Sequence, residues 1–116
     1  MAALGDLQED LPPERAAALL RDVEAQLVDV REPYEHDAGH IEGARHIEFD
    51  RLSEQAGSID RGRPVLFYCR VGSRSGVATQ AFRAAGFDAY SLAGGLVAWV
   101  ERGLPIEPAE GHVAEH

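Results

Sequence analysis

Pro64 to Gly86 reads PVLFYCRVGSRSGVATQAFRAAG, and the order of residue types along it decides the fold. Pro64 to Cys69 is a short apolar run rich in β-formers that follows the turn-like DRGR, so it reads as a buried parallel strand. From about Arg74 onward Val77, Ala78, Ala81, Phe82 and Ala85 recur at helical spacing, and Gly86 stops the pattern as a C-cap does. The only cysteine of the chain, Cys69, ends the strand, and a short loop containing Gly72 joins it to the helix.

Working outward, the flanking segments repeat the alternation. Pro13 to Ala25 places Ala16, Leu19, Leu20 and Val23 on one helical face, with Pro13 near the first turn where its missing N–H costs little. Gln26 to Val30 is a second buried strand, Phe87 to Leu92 a third, and GGLVAWVERG a last helix closed by Gly103 and Pro105. A short strand at Ala44 to Ile47, a helix at Asp50 to Gln55 and an edge strand at Leu7 to Glu9 complete the expected set. Strands alternating with helices imply an α/β layer architecture around a mostly parallel sheet. There is no internal repeat, and past Pro108 the tail AEGHVAEH (109–116) has little to bury and is expected to be flexible.

Composition narrows the function. A chain of 116 residues makes one domain, here taken as residues 1–108, and 45% hydrophobic with 27% charged residues is a globular composition. No apolar run approaches the roughly 20 residues that cross a bilayer, and MAALGDLQEDLPPE is too acidic for a signal peptide, so a cytoplasmic location is expected. The net charge of -9 argues against nucleic-acid or membrane-surface binding. A small acidic single domain is expected to be a monomer. All eleven basic side chains are arginines, which excludes lysine Schiff-base chemistry and suits planar anion recognition, although biased coding would produce the same absence of lysine. One cysteine forms no internal disulfide and no Cys-rich zinc site; its use is reactivity or packing. His36, His40 and His46 do not follow a zinc-motif spacing and His112 and His116 lie in the tail, so neither a metal nor a cofactor is proposed.

The position of Cys69 favours reactivity. Ligands of open parallel sheets bind at the carboxyl ends of the strands, and a helix N-terminus there offers free N–H groups and partial positive charge to an anionic sulfur. Gly72 lets successive amides of the loop turn inward as a nest, and Arg70 and Arg74 add two cations. A buried structural cysteine is the bland reading, and two arginines, a glycine and two serines within the next six positions argue against it.

LVDVREPYEHDAGHIEGARHI (Leu27 to Ile47), YCRVGSRSG (Tyr68 to Gly76) and LAGGLVAWVERGLPIE (Leu92 to Glu107) resemble, in order and spacing, three signature regions of the rhodanese sulfurtransferases. The resemblance spans about residues 7 to 107. It implies a rhodanese-like three-layer α/β fold, a five-stranded, mostly parallel sheet flanked by helices. It also implies that Cys69 carries a persulfide from an anionic donor, such as thiosulfate or glutathione persulfide, to cyanide, a thiol or an acceptor protein. In that scheme Arg70, Val71, Gly72, Ser73 and Arg74 bind substrate and Ser75 supports them, the amides of residues 71 to 74 stabilising the persulfide charge. Asp29 ties down neighbouring backbone and Arg31 supports the loop, with an ion pair from Arg31 to Glu32 or Glu35 as the alternative. His40 braces a turn, and Trp99 packs in the core.

Two alternatives remain at this point: a cysteine-dependent phosphatase or arsenate reductase of related fold, and a persulfide carrier or interaction module with little small-molecule turnover. Phosphatase loops of that kind are Cys-x5-Arg, whereas Cys69 and Arg74 are separated by four residues. One residue fewer removes about 3.5 Å of contour and shrinks the ring of amides toward a single sulfur. Glu42 stands where the family has proline in the turn HIEGA, a change of no chemical consequence. The acidic Glu32, Glu35 and Asp37 occupy a stretch where thiosulfate enzymes offer a basic residue, so thiosulfate is expected to be a mediocre donor.

Overall fold

In the computed structural model, which describes residues 9–116, five strands form one sheet in the order β1-β5-β4-β2-β3, every pairing parallel. The strands are β1 (Asp10–Leu11), β2 (Gln26–Asp29), β3 (Arg45–His46), β4 (Val65–Tyr68) and β5 (Ala89–Leu92). The helices are α1 (Pro13–Asp22), α2 (Pro33–Ala38), α3 (Leu52–Gln55), α4 (Ser73–Ala84) and α5 (Gly95–Glu101). The expected edge strand at Leu7 to Glu9 falls largely outside the described residues; the strand that pairs with β5 is Asp10–Leu11.

The period-2 alternation of strand side chains sorts the apolar residues into two cores. Val28, Val30, Val65, Phe67 and Cys69 face one side of the sheet, where Leu52 from α3 and Ala78 and Phe82 from α4 cover them. Leu27, Leu66, Tyr68 and Leu92 face the other, beneath Ala16 of α1 and Leu96 and Trp99 of α5. The result is three layers, helices on both faces of a parallel sheet, as expected. Trp99 is buried and its indole N–H donates to the Pro105 carbonyl at 2.8 Å.

Three local readings change. The buried face of α4 is Ser75, Ala78, Thr79 and Phe82, whereas Val77 is 59% exposed. Its helical spacing is that of a residue on the boundary of the apolar stripe, which rotates toward buried Ser75, beside the cysteine, and Thr79, whose hydroxyl donates to the Ser75 carbonyl. Helix α2, absent from the sequence reading, is only six residues long and is held by its ends. Pro33 takes its first position, and Glu32 and Glu35 form a capping box with Glu35 accepting the Glu32 amide at 2.9 Å. Residues 109–116, expected to have little to bury, lie against α2, and Val113 packs on the core beneath α1 and α5.

Candidate active site

Strand β4 lies between β2 and β5, so its end is flanked on both sides at the carboxyl edge of the sheet. Asp29 pairs in register with Tyr68, one residue before Cys69, which confirms that β2 neighbours the cysteine strand. Gly72, at φ 108°, turns the chain from the strand into α4 in a conformation that side-chain-bearing residues rarely adopt. The turn wraps around the sulfur. The Gly72 amide donates to Cys69 Sγ at 3.1 Å and the Ser75 amide at 3.4 Å, while the thiol lies 3.5 Å from Ser75 Oγ. The amides of Val71, Ser73 and Arg74 make no such bond to Sγ. Side chains of Val71 and Ser73 are exposed at the rim, whereas Cys69 itself has no exposed surface.

Ser75 connects the sulfur to the sheet. Its hydroxyl shares a 2.8 Å hydrogen bond with the hydroxyl of Ser91, a buried residue of β5 that pairs in register with Phe67 and shares its face. Sequence reading did not single out Ser91; its only signal is a serine inside an otherwise apolar strand. Glycines 94 and 95 were likewise passed over. At φ 76° and 63° they let α5 start flush against the loop, where Leu96 and Val97 amides donate to the carbonyls of Cys69 and Arg70 at 2.9 and 3.1 Å. A Cβ on Gly95 would meet the Val71 amide nitrogen at 2.6 Å.

The two loop arginines are both engaged. Arg74 makes a two-pronged ion pair with Glu35, at 3.0 and 3.2 Å. Burial of Glu35 opposes its ionisation, but the Arg74 guanidinium and the Glu32 amide outweigh it and hold its pKa below the usual range. Arg70 donates through Nε to the Ala114 carbonyl at 3.2 Å. Arg31 pairs with neither Glu32 nor Glu35. It bonds Asp29 through Nε at 2.9 Å and Nη2 at 2.7 Å, and Nη2 also reaches the Gly39 carbonyl. Asp29 in turn accepts the Arg31 amide at 3.0 Å. The geometric reason is proximity across a strand end: a two-residue separation lets one carboxylate take both the fork and the amide, while Glu35 points to Arg74 in the cysteine loop.

Burial likewise works against the Asp29 charge, and Arg31 and His36 keep its pKa low. Nη1 of Arg31 has no hydrogen-bond partner among the described residues, and the guanidinium carbon lies 5.5 Å from the centroid of the Tyr68 ring. Beside this pair three imidazoles stack, His36 on His40 at 4.0 Å and on His46 at 4.6 Å. His36 Nδ1 contacts Asp29 at 2.8 Å, His40 Nδ1 the His36 carbonyl and His46 Nε2 the Arg31 carbonyl. His36 and His46 thus brace the end of β2, and His40, bonded to α2, also forms an antiparallel bridge with Glu107.

The chain is thus an α/β protein whose lone cysteine sits at a strand-to-helix turn, its sulfur receiving two backbone amides. The Rhodanese-like domain profile matches residues 12–102, and the chain belongs to that family. It is 36% identical over 103 residues to thiosulfate sulfurtransferase GlpE of Pseudomonas putida, covering 88% of this chain and 93% of that one. To the uncharacterized protein YqhL of Bacillus subtilis it is 45% identical over 76 residues, 65% of this chain and 60% of that protein, so it spans less than two thirds of that relative. Among solved structures, a rhodanese-related protein of Thermoplasma volcanium superposes with a TM-score of 0.75 at 27% identity, over 84% of this chain and 96% of the other. A Lactobacillus plantarum protein superposes with a TM-score of 0.78 at 26% identity, over 91% and 94%.

Proposed function

We propose that the protein is a sulfurtransferase that carries a sulfane sulfur as a Cys69 persulfide. The observation that supports this most is the pair of amide hydrogen bonds from Gly72 and Ser75 to Cys69 Sγ. The deprotonated sulfur of Cys69 attacks the outer sulfur of thiosulfate. A new S–S bond forms, the old one breaks, and its electron pair leaves on sulfite. The terminal sulfur of the persulfide is then an anion, and the amides of Val71, Ser73 and Arg74 stabilise it in a site from which water is excluded. Cyanide or a thiolate attacks that sulfur, leaves as thiocyanate or a persulfide, and returns the electron pair to Cys69. The cycle needs neither metal nor cofactor.

Arg70 binds the departing anion, and Arg74 holds the loop through Glu35. Asp29 and Arg31 fix the neighbouring strand end, and the exposed side chains of Val71 and Ser73 tune the donor at the rim. The Pseudomonas relatives that cover 88% and 83% of this chain are named thiosulfate sulfurtransferases, which supports thiosulfate as one donor. Glu35, one of the acidic residues that argued against thiosulfate, is neutralised by Arg74, which leaves exposed Glu32 and Asp37 as the repulsive groups. Glutathione persulfide is the competing donor and a protein thiol the competing acceptor. A cytoplasmic monomer suits these roles, because discharge of the persulfide draws on reduced thiols.

Intact-mass measurement of the reduced protein after incubation with thiosulfate, and separately with glutathione persulfide, tests the reading. The wild type should gain one sulfur atom that cyanide or a thiol removes, and Cys69→Ser should gain none. No gain from either donor would reject the sulfurtransferase and make aryl phosphate and arsenate the next substrates to try.

A further inference from the structure

A nucleophile without exposed surface needs something to move, and one segment is tied to the arginines of the Cys69 loop. From the bridge at Glu107 the chain runs back along α2 toward the catalytic loop. The Gly111 amide donates to the Pro108 carbonyl, and the His112 amide donates to the Ala38 carbonyl at 2.9 Å. The fit there is close: a Cβ on Gly111 would lie 2.8 Å from the Ala38 oxygen. Val113 then packs against the core. The Ala114 carbonyl accepts Arg70 Nε, the Glu115 carbonyl accepts the Tyr34 hydroxyl at 3.1 Å, and His116 Nδ1 lies 3.3 Å from Glu35 Oε1. The segment therefore touches both cationic elements of the loop, Arg70 directly and Arg74 through its carboxylate partner.

We propose that residues 111–116 form a reversible strap over the Cys69 loop, which an anionic donor displaces by taking Arg70 from the Ala114 carbonyl, so that the strap selects what reaches the sulfur. The donor side of this rests on the sulfurtransferase reading; the strap itself does not. The exchange is favourable because an anion adds charge–charge attraction and can take both prongs of the guanidinium, neither of which a neutral carbonyl offers. A neutral or bulky reagent lacks that gain and waits for spontaneous opening, so its access is reduced by the fraction of molecules that are open. Val113 provides the apolar anchor, and the Tyr34 hydroxyl contributes one hydrogen bond to the closed form.

The test is the rate of Cys69 alkylation by iodoacetamide, a neutral reagent, in the full chain and in Tyr34→Phe and Val113→Ser. Loss of one hydrogen bond from the closed form should speed alkylation about two- to tenfold in Tyr34→Phe, and Val113→Ser should exceed it. Tyr34 is exposed, so its variant keeps the fold, and unchanged thermal unfolding verifies this. Hydrogen exchange of the His112 amide in the wild type gives a second readout, which thiosulfate should accelerate. Wild-type alkylation rates in both variants would overturn the strap, as would a His112 amide equally protected with and without thiosulfate. Faster alkylation in variants of a protein that takes up no sulfur would sustain the strap and reject the sulfurtransferase.

Discussion

Arg74 shows how far a single residue's role depends on its partner. A loop arginine five positions beyond the cysteine was legible as a cation in the sequence, because the spacing Cys69-x4-Arg74 is local. Its partner Glu35 stands 39 positions earlier, and no local pattern foretells that pairing. The consequence is that Arg74 acts on the loop chiefly by anchoring it. Replacing Arg74 with alanine leaves the carboxylate of Glu35, which has no exposed surface, without its strongest partner. The cost should be about 2–3 kcal/mol, below the ~3–5 of a fully buried pair because Arg74 keeps some contact with solvent. Persulfide formation should fall with it, and chemical denaturation alongside the mass assay reads both. Arg102→Ala is the control. That side chain pairs with Glu14 on the exposed surface of α1, and its loss should leave both measurements at wild-type values. Equal effects of the two substitutions would contradict the anchoring role. Arg74→Lys should retain only part of the function, because an ammonium group does not reproduce the two-pronged geometry.

At the scale of elements, what could be read were the segments with a period. The strands β2, β4 and β5 and the helices α1 and α4 were all visible as apolar runs or stripes of sufficient length. Helix α2 was not, since six residues hold fewer than two turns and its core-facing residue is the charged Glu35. The contact between α5 and the cysteine loop was equally hidden: Gly94 and Gly95 read as a helix start, and only the fold brings that start to the carbonyls of Cys69 and Arg70. Gly95→Ala tests the contact. The added methyl meets the loop backbone at a φ of 63°, so the conformational cost should be about 1 kcal/mol from the backbone alone, with steric displacement of the loop in addition. We expect lower thermal stability and slower persulfide formation. Gly103→Ala carries a similar positive φ with open space around it, and should lower stability without slowing the chemistry. If both variants form persulfide at the same rate, the seating of α5 does not control the loop.

For the whole molecule, the sheet and its layers followed from the alternation of strands and helices, whereas the course of residues 109–116 did not, because a segment held by backbone carbonyls and one valine has no periodic signature. The buried charges along the cysteine edge set how the fold responds to pH. His36 has a pKa lowered first by burial, against the opposing pull of Asp29, so the unfolded chain binds its proton more readily than the folded one. Its contribution is therefore complete above the ordinary histidine value of about 6.5 and is lost as pH falls below it. Asp29 and Glu35 also have lowered pKa values, and their contribution is present above about 4 and lost as pH falls further. Against these, the net charge of -9 diminishes on acidification, which relieves repulsion and favours the fold. Salt at about 0.15 M screens that surface term within roughly 8 Å while leaving the buried groups little affected. Urea unfolding in that salt should consequently show stability declining in two steps, one below about 6.5 and a steeper one below about 4. His36→Gln, which keeps an amide donor for Asp29 without a titrating group, should remove the first step and leave the second. Persistence of the first step in His36→Gln would assign it elsewhere and remove the stacked imidazoles from the control of this edge.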